Sequence, residues 1–131
     1  MAKLLTLNTH AWMEKNPEQK IQEIVSYIAA DDYDIICFQE INQLISSPVS
    51  KSAPGYSSLP NSPILHQDNF ALRIVEELLQ AGKTYYWSWA YNHIGYDKYH
   101  EGVAILSKNP IQVRDALVSE VDDEKDFHTR R

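Results

Sequence analysis

Cysteine is almost missing from this chain: Cys37 is the one thiol among 131 residues, so no intrachain disulfide can brace the fold, as suits a reducing cytoplasm. It stands in an apolar run and is expected in the core. Long hydrophobic runs are missing as well. No stretch approaches the roughly 20 apolar residues of a membrane span, and Met1-Ala2-Lys3 leads straight into a strand pattern rather than a leader. Positive charge is in deficit, with a formal net charge of −6, scattered Lys and Arg, and an acidic run at Asp122-Asp123-Glu124. A protein that grips nucleic acid usually presents a basic face, so nucleic acid is a disfavoured partner. The five histidines, His10, His66, His93, His100 and His128, lack zinc-type pairing, which argues against a zinc cluster. Apolar residues at 44% and charged residues at 23% are those of an ordinary globular domain.

What is present begins with two apolar runs that end in polar side chains: Leu4-Leu5-Thr6-Leu7-Asn8-Thr9-His10 and Asp34-Ile35-Ile36-Cys37-Phe38-Gln39-Glu40. Between them, Asn16-Pro17 reads as a helix start, with Asn16 as cap, Pro17 at the first helical position and Gln19 as capping-box partner. Ile21, Ile24, Val25 and Ile28 then recur as the stripe of a helix laid on a sheet. A strand-helix-strand unit of this kind makes neighbouring parallel strands about 4.8 Å apart. Asn8 and Glu40 therefore emerge together at the carboxyl edge, where such sheets bind ligands. Two readings stand: an amide and a carboxylate that hold a divalent metal, or a turn residue beside a solvated acid.

Residues 46–63, rich in proline and serine, read as a long irregular loop that is either a wall of a substrate pocket or a surface excursion. A packing helix is expected from about Asp68 to Ala81, with Phe70, Ile74 and Leu78 on one side and Gly82 as its stop. Tyr85 to Tyr91 alternates aromatics at odd positions, a strand whose stripe belongs to the core. Asn92 to His100 reads as a polar loop placed before Glu101. In it His93 and Lys98 are candidate substrate-phosphate contacts, while Tyr96 and Tyr99 either stack on a ring or cover the sheet edge. His10 is a third candidate substrate contact, at the pocket rim.

Leu5 to His10, Ile36 to Asn42 and Glu101 to Lys108 resemble, in this order and at about this spacing, the first three motifs of the endonuclease/exonuclease/phosphatase superfamily. The resemblance covers nearly the whole chain, with the proline-rich stretch its least specific part. It implies an α/β (α+β) fold: half of a four-layer α/β-sandwich of the DNase I-like type, a mixed sheet flanked by helices. Residues 1–131 would be the N-terminal half of a single domain.

The resemblance also implies roles. Glu40 matches the family's magnesium-binding glutamate, and Asn8 matches the asparagine that supports the metal and the scissile phosphate. Glu101 resembles a glutamate that orients the catalytic histidine in some members; its other reading is a charge that opens a strand. The implied cofactor is Mg²⁺, with Mn²⁺ as the alternative. The Asp-x-Asn motif and closing Asp-His pair of the family's second half do not occur here. The expected partner is thus the C-terminal half of the same protein, either outside a truncated product or severed near Arg130-Arg131, which suits a trypsin-like cut. The front half alone is expected to be inactive. The implied activity is hydrolysis of a phosphoester in a small phosphorylated metabolite. Leu7-Asn8-Thr9-His10 and Tyr91 to Tyr99 look most like a bacterial branch that includes sugar-phosphate phosphatases. A DNA endonuclease or exonuclease, and a non-catalytic binding module, are the alternatives.

Overall fold

The computed structural model describes residues 1–131. Strand β1 (Leu4–Asn8), a single 3₁₀ turn (Ala11–Met13), helix α1 (Pro17–Ala30) and strand β2 (Ile35–Leu44) form the expected unit. β1 and β2 pair in parallel from Leu4–Ile35 to Asn8–Gln39. Ile21, Ile24, Val25 and Ile28 are all buried, so the stripe predicted from spacing is the face α1 lays on the sheet. Pro17 opens the helix, but the predicted capping box does not form. Asn16 sits at ψ 75°, short of the extended backbone that aims a cap side chain at the first turn, and it makes no side-chain cap bond. Gln19 bonds Glu23 instead.

Helix α2 (Phe70–Gln80) is capped by Asn69, whose side chain accepts from the amides of Ala71 and Leu72. It ends at Gly82, φ 82°, where Gly82 N–H bonds Leu79 O and Lys83 N–H bonds Leu78 O, the paired geometry that closes a helix on a left-handed residue. Strands β3 (Tyr86–Gly95) and β4 (Tyr99–Ser107) complete a mixed sheet of order β1-β2-β4-β3, with β4 antiparallel to both neighbours. Ile36, Phe38, Trp87, Trp89 and Leu106 face the helices and are fully buried. The opposite face, with Cys37, Ala90, Val103 and Ile105, is partly covered by residues 112–118 above a gap of about 550 Å³. Cys37 lies on this second face and is half-buried, not in the core as expected, because strand alternation sends it opposite Ile36 and Phe38.

Two expected loops are differently placed. Asn92 to His100 is mostly hairpin: β3 runs through Gly95, and Tyr96 and Asp97 turn the chain in left-handed conformation, φ 52° and 59°, with Lys98 N–H on Gly95 O at 3.1 Å. Neither turn residue is glycine, so the usual hairpin signal is missing. The proline-rich loop folds over β3, where Trp87 Nε1 donates to Pro54 O at 2.8 Å and Tyr56 packs on Trp87. Its far end is held by Gln43, which donates to Ile64 O and whose Oε1 accepts from His66 N and Asn69 Nδ2. Gln43 Nε2 also lies 3.2 Å from His100 Nδ1, and the His100 ring packs edge-on against those of His66 and Tyr91.

Gly102 and Gly82 separate two reasons for glycine. A Cβ on Gly102 would lie 2.1 Å from Ala90 O, whereas one on Gly82 would meet nothing within 4 Å. Gly82→Ala should destabilise by about 1–2 kcal/mol, the left-handed backbone penalty, and Gly102→Ala by about 3 kcal/mol or more through overpacking; urea unfolding of both variants checks the order. Burial, and next the His66 ring, push the His100 imidazolium below its ordinary 6.5, with Glu124 opposing. The unfolded chain then takes up a proton before the folded one, so stability should be complete above about pH 6.5 and decline below it, toward the lowered folded pKa. His100→Gln should flatten that part of a melting-temperature profile.

Candidate active site

Two bulges shape one corner of the sheet. Between the Phe38–Ala104 and Ile41–Gly102 pairs, Gln39 and Glu40 together oppose Val103. Between Tyr91–Gly102 and His93–Glu101, Asn92 is the extra residue of β3. Each bulge shifts the alternation of its strand by one. On β2 this puts Ile41 in the core and Asn42 on the opposite face. On β3 it takes His93 out of the Trp87-Trp89-Tyr91 stripe and sets it beside Glu101.

Glu40 itself occupies the left-handed region at φ 57°, as do His10 at 54° and Ala11 at 43°. Non-glycine residues sit there at a cost, and such strain gathers where side chains must be aimed. The aim here is mutual. Asn8 Nδ2 donates to Glu40 Oε1 at 3.0 Å, His10 Nδ1 lies 3.0 Å from Glu40 Oε2, and His10 N–H donates to Asn8 Oδ1 at 3.1 Å. Beneath them the fully buried Thr9 ties β1 to the bulge: its hydroxyl reaches Gln39 O at 3.2 Å and Glu40 O at 3.3 Å and accepts from Ala11 N–H.

Asn8, Gln39, Glu40, Asn92, His93, Glu101, Arg130 and Arg131 help line a cleft of about 320 Å³. His93 Nε2 lies 3.0 Å from Glu101 Oε2, while its Nδ1 is 3.0 Å from Arg130 Nη1 and 3.1 Å from Thr129 O. Arg131 N–H donates to Asn92 Oδ1 at 2.7 Å, and its guanidinium pairs with Asp122 at 3.0 Å.

Of the residues singled out in the sequence, Asn8, Glu40, His93 and Glu101 meet in this cleft. His93 reaches it from a strand, as a buried partner of Glu101, not from the expected polar loop. His10 touches Glu40 but does not line the cleft. Lys98 is not there: the hairpin carries it to the tip, where its ammonium stands 5.2 Å from the centre of the Tyr99 ring. None of residues 46–63 lines it either. Sequence reasoning missed Asn92, whose position depends on a bulge, and treated Arg130 and Arg131 only as a cleavage signal. It also missed Asn42, buried on the cleft side of β2 opposite Glu101, with neither amide atom hydrogen-bonded.

A search of curated proteins finds no match. The profile of the Endonuclease/Exonuclease/phosphatase family matches residues 11–130. The chain belongs to this family. It is also similar to a solved structure, an endonuclease/exonuclease/phosphatase family protein from Leptotrichia buccalis C-1013-b, at a TM-score of 0.84 and 30% identity, over 99% of this chain and 46% of that one. The chain thus spans about half the length of that relative. The resemblance read from the three motifs holds, as does the α/β class: a mixed four-stranded sheet with helices, of the DNase I-like type. Endonuclease/exonuclease/phosphatase proteins are hydrolases of phosphoesters and generally depend on a divalent metal.

The donor set suits such an ion. These 131 residues hold no group of three or more His, Cys, Asp and Glu placed to hold an ion by themselves. What the chain presents is one half-exposed carboxylate, Glu40, beside the Asn8 amide. Mg²⁺ is characteristically held in this way, by one or two carboxylates with water and substrate phosphate filling the other positions. Glu40 would be its anchor and Asn8 the neighbour that fixes it.

Glu40→Gly and Glu40→Ala both remove the carboxylate and differ only in backbone freedom. The glycine variant should be the more stable by about 1 kcal/mol, and equal unfolding midpoints would mean that Glu40 carries no backbone strain.

Proposed function

We propose that this chain forms part of the active site of a divalent-metal-dependent phosphoester hydrolase acting on a small phosphorylated metabolite such as a sugar phosphate. The observation that carries the reading is the Glu40 carboxylate, clamped by Asn8 and His10 at the mouth of a narrow cleft that Arg130 and Arg131 also line. When bound, Mg²⁺ or Mn²⁺ would supply charge neutralisation at the phosphoryl group and its leaving oxygen. Asn8 and Glu40 hold that corner. Arg130 brings a guanidinium suited to phosphate, while the Arg131 guanidinium is held by Asp115 and Asp122. Glu101, steadied by His93 on Oε2, orients a catalytic histidine supplied by the remainder of the domain, the partner of this half.

The net charge of −6 favours a metabolite over duplex DNA. The unpaired Cys37 supports a cytoplasmic setting. The test is a screen of the full-length protein, with Mg²⁺, against sugar phosphates, nucleotides and plasmid DNA. Glu40→Ala should lower turnover of the preferred substrate by orders of magnitude while the fold survives. Unchanged turnover rejects the metal assignment, and preferential cleavage of DNA rejects the metabolite.

A further inference from the structure

His10 stands two residues beyond Asn8, outside the cleft, yet its ring touches the carboxylate that lines it. Glu40 meets the cleft together with Asn8. Its Oε1 accepts from Asn8 Nδ2 and its Oε2 faces His10 Nδ1, both at 3.0 Å, so each oxygen has one donor from the chain itself. His10 does a second thing: its backbone N–H occupies Asn8 Oδ1 at 3.1 Å, which turns the amide so that Nδ2 points at Glu40. One residue thus fixes both members of the pair, through its ring on one and its main chain on the other.

The chain accepts strain to put it there. His10 and Ala11 are left-handed at φ 54° and 43°, and the buried Thr9 hydroxyl pins the turn by accepting from Ala11 N–H at 3.1 Å. Left-handed backbone costs a non-glycine residue energy, and here the turn so held aims the ring at Glu40. The half-exposed ring reaches across solvent to an acid on another strand, and a carboxylate of this kind samples several rotamers unless a donor selects one.

We propose that His10 is a positioning residue that presets the Glu40 carboxylate for a divalent cation, acting from outside the cleft and not as a substrate contact. The inference rests on the metal reading above. Partners that orient a ligating carboxylate in this way change metal affinity by about 10–100-fold when removed.

The experiment is Mn²⁺ and Mg²⁺ titration of the full-length protein by calorimetry, with thermal melts of each variant, for wild type, His10→Gly, His10→Asn and Glu40→Ala. His10→Gly removes the ring and relieves the left-handed backbone. It should therefore bind Mn²⁺ about tenfold or more weakly while melting no lower than wild type, a combination that a merely structural histidine would not produce. His10→Asn, whose short amide tolerates the same backbone and keeps an N–H near the position of Nδ1, should recover part of the affinity. Wild-type affinity in His10→Gly, with Glu40→Ala abolishing binding, overturns this role alone. Tighter binding in His10→Gly overturns it too, by making His10 a competitor of the ion. If Glu40→Ala binds as wild type does, the metal reading itself falls.

Discussion

Gly102 is the point on which the arrangement turns. Its missing side chain lets the β3 main chain close on β4, with room for nothing between the glycine and Ala90 O. Trp89 lies over the same spot, with Nε1 donating to Ile41 O at 3.2 Å. On one side of Gly102 the β2 ladder has just absorbed Gln39 and Glu40, and on the other the β3 ladder absorbs Asn92. Both irregularities are stitched to a single strand at a single level, and they turn Glu40, Asn92 and His93 toward the cleft. A bulge is a local loss of ladder hydrogen bonds. Here the aromatic floor of Trp87, Trp89 and Tyr91 keeps the sheet closed beneath that loss.

The polar groups around this corner are sorted by face. On the helix and loop side, Gln43 holds the far end of the long loop, and His66, Asp68 and Ser47 complete a network that is largely buried and bonded. On the cleft side, the row Asn42, Glu101, His93 runs across three strands, and only two of its members are paired. Buried amides without partners are rare and expensive. The contrast distinguishes a polar cluster that finishes the fold from one placed for chemistry.

Most of the architecture was legible because it is local. The period-3.6 stripe of α1, the stop at Gly82, the aromatic alternation of β3 and the parallel neighbours β1 and β2 all follow from patterns a few residues long. Asn8 and Glu40 could be paired for the same reason, since strand ends joined by one helix must meet. What sequence could not disclose depends on register. The extra residue at Asn92 leaves no local mark, so His93 read as a loop residue and Lys98 as a companion in the site. The turn at Tyr96-Asp97 uses left-handed residues that are not glycine, which hid the hairpin. Arg130 and Arg131 reach the cleft from a segment without regular structure, which periodicity does not address.

The two bulges work as a reading frame. Ahead of each, one parity of positions faces the core, and beyond it the other parity does. Substitutions at most positions along β2 and β3 would leave that frame intact, whereas loss or gain of one residue near Asn92 would exchange His93 for a neighbour and turn polar groups into the tryptophan floor. Variation in this corner is therefore expected to respect strand length more strictly than residue identity, the reverse of what an inventory of functional side chains would suggest.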